Sequence, residues 1–322
     1  MHRASIVIVT PALAEANNGN WQTAQRWAGF LRPAYPVRLA ARWSAGDEAM
    51  MIALHARRSA DAVAAWRAAY PARPLLLVLT GTDLYRDIHT DPSAQRSLAL
   101  ADALVVLNQL GADRLPAALR SKCHVVLQSS TTRRTLTKTA RHLRALAVGH
   151  LRGEKDPLTY LRAARRLRGR ADLRFDHVGA ALDPALGARA EALAAAQPTY
   201  RWLGGRTHAE ARRRIQAAHL LVHPSRLEGG AHVVIEAVRS GTPVLASRID
   251  GNLGLLGHDY AGCFDVGDDA ALATLLARAR DDPAWLVHLQ RQVAQRAPLF
   301  APDLECATLH RLVAHHLAAA RR

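Results

Sequence analysis

The chain has 322 residues, 49% of them hydrophobic and 22% charged, which is the composition of an ordinary globular protein with room for two medium-sized bodies. Its longest apolar runs, such as Leu75 to Leu79, are far too short to span a bilayer, and Ile6 to Val9 is too short for the apolar part of a secretory leader. A cytoplasmic protein without stable membrane association is expected. Forty-three Lys plus Arg against 27 Asp plus Glu give a net charge of +16 and favour anionic partners.

The cations are spread along helical polar faces, as in RWAGFLR, AARRLRGR and EARRRI, which reads as solvated surface. With only six Trp, six Tyr and four Phe, the chain offers a poor stacking platform for single-stranded nucleic acid, so no nucleic-acid partner is expected. The three cysteines, Cys123, Cys263 and Cys306, are scattered and form no C-x-x-C pair, which argues against a disulfide framework or a zinc site.

In chain order, SIVIVT predicts a strand and WQTAQRWAGFLR a helix. RPLLLVLTG, ALVVLN and HVVLQ predict further strands. The stretch SSTTRRTLTKTARHLR, residues 129–144, is polar and without a strand pattern, and is expected to link two domains. Alternation then restarts: ALAVGHL, LRFDHVG, TYRWLGG, HLLVHPS and TPVLAS predict strands. DPLTYLRAARRLRG, AEALAAA, HAEARRRIQAA and VVIEAVRSG predict helices between them. Such alternation gives a parallel sheet covered on both faces. The expected architecture is α/β, with two doubly wound Rossmann-like domains: residues 1–140, residues 145–300, and a C-terminal helix within 301–322 packing back on the first. Ligands of such sheets lie outside the carboxyl ends of the strands.

The most specific stretch is HPSRLEGGAHVVIEAVRSGTPVLAS, residues 223–247. It reads as strand, glycine loop and helix, with Glu228 and Glu236 separated by seven residues and Gly241 as a candidate helix terminator. Gly229 and Gly230 would let backbone approach a ligand closely. The helix N-terminus after Ala231 would present N–H groups to an anion such as a diphosphate. Glu236, about two turns into the helix, could accept from a ribose diol, and Glu228 from sugar hydroxyls. Two glutamates alone would barely outweigh a loop acid and a helix-surface acid; the whole string is far more specific.

That string resembles the E-x7-E signature of family 4 glycosyltransferases of the GT-B fold, with the EA-x3-G-x-PV run present as EAVRSGTPV. The resemblance extends over nearly the whole chain. AVGHLRGEKDPLTYLRAARRL resembles the family's phosphate-contacting segment, with Lys155 at the position of its lysine. NNGNWQTAQRWAGFL resembles its N-terminal glycine loop, LVLTGTDL its HGTD-type strand end, and GCFDVGDDAALATLLARARDDP its usual tail. TPALAEANNGNWQTAQRW together with LTGTDLYRDI is similar to the selenosugar synthases of selenoneine biosynthesis. That similarity implies UDP-sugar (N-acetylglucosamine or glucose) and selenophosphate as substrates, UDP as leaving group, and other enzymes of that pathway as possible partners.

The sequence departs from the family where His150 stands for the arginine after VG, where Thr80-Gly81 stands for HG, and where Gln128-Ser129-Ser130 replaces N-G-V-D. Arg152 lies two residues beyond His150 and can substitute for that arginine. These changes suit an unusual acceptor. Transfer from a UDP-sugar builds negative charge on the departing diphosphate. Lys155, Arg152 and the N–H groups after Gly229 are the expected stabilisers. No Asp-x-Asp pair lies in a loop that would hold a divalent metal, so the reaction is expected to need no metal and no other cofactor. Gly19, Asn20, Thr23, His55 and Asp83 are the acceptor-side candidates. His55 could equally be a structural histidine and Asp83 a helix cap.

Two histidine pairs could suggest metal ligation, and spacing speaks against both. His219 and His223 lie on a predicted strand, where four residues span about 13 Å. His315 and His316 are neighbours on a helix and cannot share a face. The alternatives are a conventional UDP-hexose-dependent transferase acting on a small hydroxyl acceptor, a UDP-N-acetylglucosamine epimerase of the same architecture, and a basic nucleic-acid-binding module, against which the intact E-x7-E string argues.

Overall fold

The computed structural model describes residues 3–11 and 19–320. Residues 12–18, within the TPALAEANN stretch of the resemblance above, lie outside the described residues. By internal contacts the chain divides into one body of Met1–Ser129, Glu228–Gly230 and Pro302–Arg322, and a second of Ser130–Leu227 and Ala231–Ala301. The division falls at 129/130, earlier than the polar stretch suggests, because that stretch is bonded into the second body. Arg212 donates to the Ser130 hydroxyl and the Thr131 carbonyl, Arg239 to the Ser130 carbonyl, and Gln216 to the Arg134 carbonyl.

In the first body, strands β1 (Ile6–Val9), β2 (Val37–Ala40), β3 (Met50–Leu54), β4 (Leu75–Leu79), β5 (Ala103–Val106) and β6 (Cys123–Val125) form one sheet in the order β2-β1-β3-β4-β5-β6. All its pairings are parallel. The runs MMIAL and LLLVL are wholly buried, as central strands covered on both faces must be. Successive side chains alternate between two cores. Met51, Leu75, Leu77 and Leu79 face α2 (Ala60–Ala69) with its Trp66. Met50, Ile52, Leu76 and Val78 face α1 (Gly19–Leu31) with Trp27, and the C-terminal helix with Leu309 and Val313.

Glu305 on that C-terminal helix is 2% exposed and accepts from Arg26, from the Trp27 indole and from the Ser129 N–H and hydroxyl. After β4 the chain makes one π-helical turn, Asp83–Asp87, followed by α3 (Ile88–Thr90) and α4 (Pro92–Leu100). The sequence patterns did not single out β2, β3, α2 or this π-turn.

The second body repeats the plan. Strands β7 (Leu143–Val148), β8 (Leu173–Val178), β9 (Tyr200–Trp202), β10 (Leu220–His223), β11 (Val244–Ser247) and β12 (Cys263–Phe264) run in the order β12-β11-β10-β7-β8-β9, again parallel throughout. Its helices are α5 (Pro157–Arg166), α6 (Pro184–Ala196), α7 (His208–Ala217), α8 (His232–Val238), α9 (Asp250–Leu256), α10 (Asp269–Asp281) and α11 (Pro283–Arg296). The C-terminal helix is α12 (Pro302–Ala319). No helix among the described residues is long and apolar enough to cross a membrane.

Strand order locates each sheet's crevice. From β1 the chain goes to β2 on one side and then to β3 on the other. From β7 it goes to β8 and β9 on one side and then to β10 on the other. Ligands of doubly wound sheets sit at the carboxyl ends where this reversal occurs. The expected positions are therefore between β1 and β3, and between β7 and β10.

Candidate functional site

In the second body two segments flank the β7/β10 crevice: residues 149–156 after β7, and the start of α8 after β10. Behind β7, Gly149 is followed by a short turn, Gly153–Lys155, and by Asp156 in the left-handed region at φ 44, from which α5 starts with Pro157. Thr159 donates to Asp156 Oδ2 at 2.8 Å, and Arg226 Nη2 lies 3.4 Å from Oδ1, which fixes this unfavourable backbone. Gly179 has φ +156, and any Cβ there would collide with the Gly149 carbonyl, so glycine is required for β8 to leave the Gly149 turn its place.

The turn displays Arg152, exposed, and Lys155, half-buried. The Lys155 stem lies close along Gly149: a Cβ added to that glycine would be 3.5 Å from Lys155 Cδ and 3.6 Å from its Cγ. Lys155 also lines a small cavity with Gly149, His177, His223 and Ser225. The turn folds its methylenes down onto the strand end. His150 accepts at Nδ1 from the Ala180 N–H, and burial, then the Arg152 and Lys155 charges, push its pKa down. Arg226, which lies within the 223–247 string but was not singled out there, adds a third cation at this edge.

On the other side of the crevice α8 begins at His232, so Glu236 sits one turn into the helix rather than two. Ala231 is the buried residue before its first turn. Gly241, at φ +66, lies two residues past the C-cap Arg239 and closes the helix by donating to the Val238 carbonyl. Glu236 is buried. His208 Nε2 lies 2.5 Å from its Oε1, His232 Nδ1 3.3 Å and Arg212 Nη1 3.8 Å. Burial pushes this carboxyl up, but the hydrogen bonds and charge of His208 and His232 outweigh it and hold the pKa down at about 2.

Among the described residues this trio is the cluster of His and carboxylate atoms close enough to share one ion. The signal was present in the sequence, since His232 and Glu236 are spaced i,i+4 at a helix start. Nothing in the sequence brings His208 to them. His219 bonds through its ring nitrogens to the Arg144 N–H and the Thr139 carbonyl, while His315 and His316 stack edge-on on α12.

In the first body, Glu228–Gly230 is held by internal contacts. Asn108 Nδ2 donates to the Gly229 carbonyl at 2.7 Å. A Cβ on Gly229 would strike the Thr80 carbonyl group, and one on Gly230 would lie 2.8 Å from Leu107 Cβ. Protein packing alone is therefore a sufficient reason for glycine at both positions. Glu228 is half-buried.

Gly19 and Asn20 open α1, and His55 follows β3, so these flank the β1/β3 crevice. Thr23 is buried, with its hydroxyl 2.8 Å from the Gly19 carbonyl and 2.5 Å from the Gln128 amide, so it shapes the helix start rather than facing a ligand. Asp83 is fully buried and accepts from the Ala56, Thr80 and Gly81 N–H groups. It ties the end of β4 to the end of β3 and caps no helix. His55 is 2% exposed, at φ 74, with Nε2 3.0 Å from the Thr82 hydroxyl and Nδ1 3.4 Å from the Arg58 N–H. Burial lowers its pKa, against the pull of Asp83.

Two Rossmann-like bodies, each with its candidate residues at the carboxyl-end reversal of a parallel sheet, define the GT-B class of glycosyltransferases. Residues 128–299, more than half of the chain, match the family model of Glycosyl transferases group 1, and the chain belongs to that family. A D-inositol 3-phosphate glycosyltransferase of Streptomyces avermitilis is 38% identical over 89 residues, 27% of this chain and 19% of that protein. The match thus spans about a fifth of that relative's length.

Among solved structures, sucrose-phosphate synthase from Thermosynechococcus elongatus superposes with a TM-score of 0.77 at 17% identity, covering 98% of this chain and 100% of that one. HepE of Anabaena in complex with UDP-glucose gives 0.76 at 14%, covering 97% and 99%. The pneumococcal O-GlcNAc transferase GtfA, with UDP and GlcNAc, gives 0.66 at 15%, covering 83% and 57%. At these identities the likeness is one of fold.

Proposed function

We propose that this chain transfers the sugar of a UDP-sugar, UDP-N-acetylglucosamine or UDP-glucose, to selenophosphate, giving a selenosugar and releasing UDP. The observation that carries the donor side is the placement of Lys155, Arg152 and His150 after β7, and of Glu236 after β10, on the two strands that bound the reversal of one sheet. A buried carboxylate held ionised there suits a ribose diol, and cations on a preorganised turn suit a diphosphate. Fold neighbours that hold UDP-glucose, or UDP and GlcNAc, support the same donor class by analogy.

The chemistry then asks little of the protein beyond charge and position. A selenium lone pair attacks the anomeric carbon, the carbon–oxygen bond to the diphosphate breaks, and both its electrons leave with UDP. The selenosugar formed still carries the phosphoryl group on selenium until water cleaves the Se–P bond and releases phosphate. Lys155 and Arg152 take up the growing charge on the leaving group, an interaction stronger in the transition state than in the bound donor. Glu228 is the proposed acceptor for the sugar hydroxyls. Gly19, Asn20 and His55 border the acceptor side.

The selenium assignment rests on the resemblance of LTGTDLYRDI and the N-terminal stretch. A further point favours an anionic acceptor over a hydroxyl. A hydroxyl acceptor needs a general base, and the candidate imidazole, His55, is sealed with both ring nitrogens engaged. Selenophosphate is already an anion and a strong soft nucleophile, so orientation suffices.

The test is mass spectrometry of the products from UDP-N-acetylglucosamine with selenophosphate, thiophosphate, phosphate or water. A selenium-bearing sugar, formed far faster than the phosphate or water products, is expected. UDP release that is equally fast with water, or a product only with a hydroxyl acceptor, would overturn the reading.

A further inference from the structure

The two imidazoles that converge on Glu236 carry chemistry that donor binding leaves unused. His208 is the first residue of α7, set by Thr207, whose hydroxyl caps the Glu210 N–H. His232 is the first residue of α8 and shares a face with Glu236 one turn on. The ring centroids of the two histidines lie 6.2 Å apart, with their planes at 45°. One ligand atom from each of His208, His232 and Glu236 lies within 4.8 Å of the others. The carboxylate side chain is 2% exposed, the His232 side chain 21% and that of His208 47%, so the group is buried on its carboxylate side and open to water on its His208 side.

Two imidazole nitrogens and one carboxylate oxygen, with open positions for water, form a donor set suited to Zn²⁺ and its first-row neighbours. Bonds of about 2.0–2.1 Å in a near-tetrahedral arrangement place ligand atoms roughly 3.3 Å apart. His232 Nδ1 and Glu236 Oε1 already stand at 3.3 Å. His208 Nε2, at 2.5 Å, must withdraw by roughly 1 Å, within reach of a rotamer adjustment in a half-exposed side chain.

The charges around the group oppose a cation. Arg212 of α7 lies 3.8 Å from the same oxygen, and Arg133 and Arg239 stand near enough to bear on Arg212. Arg212 is turned toward Ser130 and Thr131, which spares the site its hydrogen bonds but not its charge. A metal here is therefore held loosely.

We propose that His208, His232 and Glu236 form an exchangeable transition-metal site, best matched to Zn²⁺, which takes the same carboxylate as the nucleotide and so makes metal and UDP mutually exclusive. The metal is an inhibitor of donor binding and takes no part in the transfer. The exclusivity rests on the reading that Glu236 receives the ribose; the metal site itself does not.

The experiment uses the full chain, free of affinity tags and stripped of metal, titrated with Co²⁺ as a visible probe and back-titrated with Zn²⁺. Wild type is compared with His208→Ala, His232→Ala and the double variant His208→Gln/His232→Gln, with circular dichroism as the check on folding. One Co²⁺ per chain with visible ligand-field absorption is expected, weakened at least tenfold by either single change and abolished by the double change. Rising UDP should weaken Co²⁺ binding, and rising Co²⁺ should weaken UDP binding, each without limit as the competitor is raised, as competition for one carboxylate requires.

Absorption that survives in the folded double variant would place the metal elsewhere and overturn the site. Metal and UDP binding with unchanged affinities in each other's presence would overturn the exclusivity. UDP titration of metal-free wild type and Glu236→Gln tests the donor reading separately: equal UDP affinities would sink that reading, while the Co²⁺ titration would still decide the metal site.

Discussion

Lys155→Ala separates the roles assigned to one side chain. The ammonium is proposed to follow the diphosphate as its charge grows, so its loss should fall on turnover. About two to three orders of magnitude in kcat is the range for removing one preorganised stabiliser, with a much smaller rise in KM for the UDP-sugar. The structure adds a stability cost, because the stem is half-buried and lies along the Gly149 strand end. Removing about three methylenes, roughly half buried and worth about 0.8 kcal/mol each when fully buried, costs about 1 kcal/mol. That is a fall of about 2–4 °C in the melting midpoint for a body of this size. Lys155→Met keeps the stem and drops the charge, so it should restore the midpoint and keep the turnover defect. Steady-state kinetics and thermal melts on the same preparations decide the matter. Wild-type turnover in the folded Met variant would refute the leaving-group role; full recovery of turnover with stability would show that packing alone was at stake.

Glu236→Gln should weaken UDP binding about ten- to hundredfold by calorimetry, the loss of charge-assisted bonds worth about 1.5–3 kcal/mol in all. Glu228→Ala should leave UDP affinity nearly unchanged and slow turnover of the UDP-sugar; a normal rate would remove Glu228 from the sugar site. Excess chelator should leave turnover intact, and a strict Mg²⁺ requirement would show the phosphate site to be misread. His177, buried beneath Tyr160 with its pKa pushed by burial to about 4, makes stability pH-dependent. Between its unfolded value near 6.5 and 4 the unfolded chain binds a proton that the folded chain refuses. Stability should therefore fall as pH drops through that window, by about 3 kcal/mol at most. Denaturant titrations should show a shallower slope in His177→Leu than in wild type, the remainder coming from His55 and His150, whose pKa values burial also lowers.

The parallel sheets were legible because strands such as LLLVL and LRFDHV carry unbroken apolar or alternating runs bounded by turns, and the helices between them carry clear periodicity. MMIAL was equally apolar but was not singled out, and VRLA at the sheet edge is too short and mixed to stand out. The E-x7-E string located the second body's crevice because strand, loop and helix follow one another in sequence. Contacts between residues far apart in sequence were not legible. Asp83 looked like a cap or a substrate ligand, yet its partners Ala56, Thr80 and Gly81 make it a fastener between strand ends. Thr23 looked accessible at a helix start, but its hydroxyl is spent on Gly19. His208 reaches Glu236 only because α7 packs beside α8, and no local pattern encodes that.

The most direct test of the donor site is a structure determined with UDP bound. The ribose hydroxyls should lie within hydrogen-bonding distance of the Glu236 carboxylate, with His208 displaced from Oε1, and the diphosphate should lie against the turn that carries Arg152 and Lys155. UDP bound elsewhere, or a ribose that makes no contact with Glu236, would contradict the account.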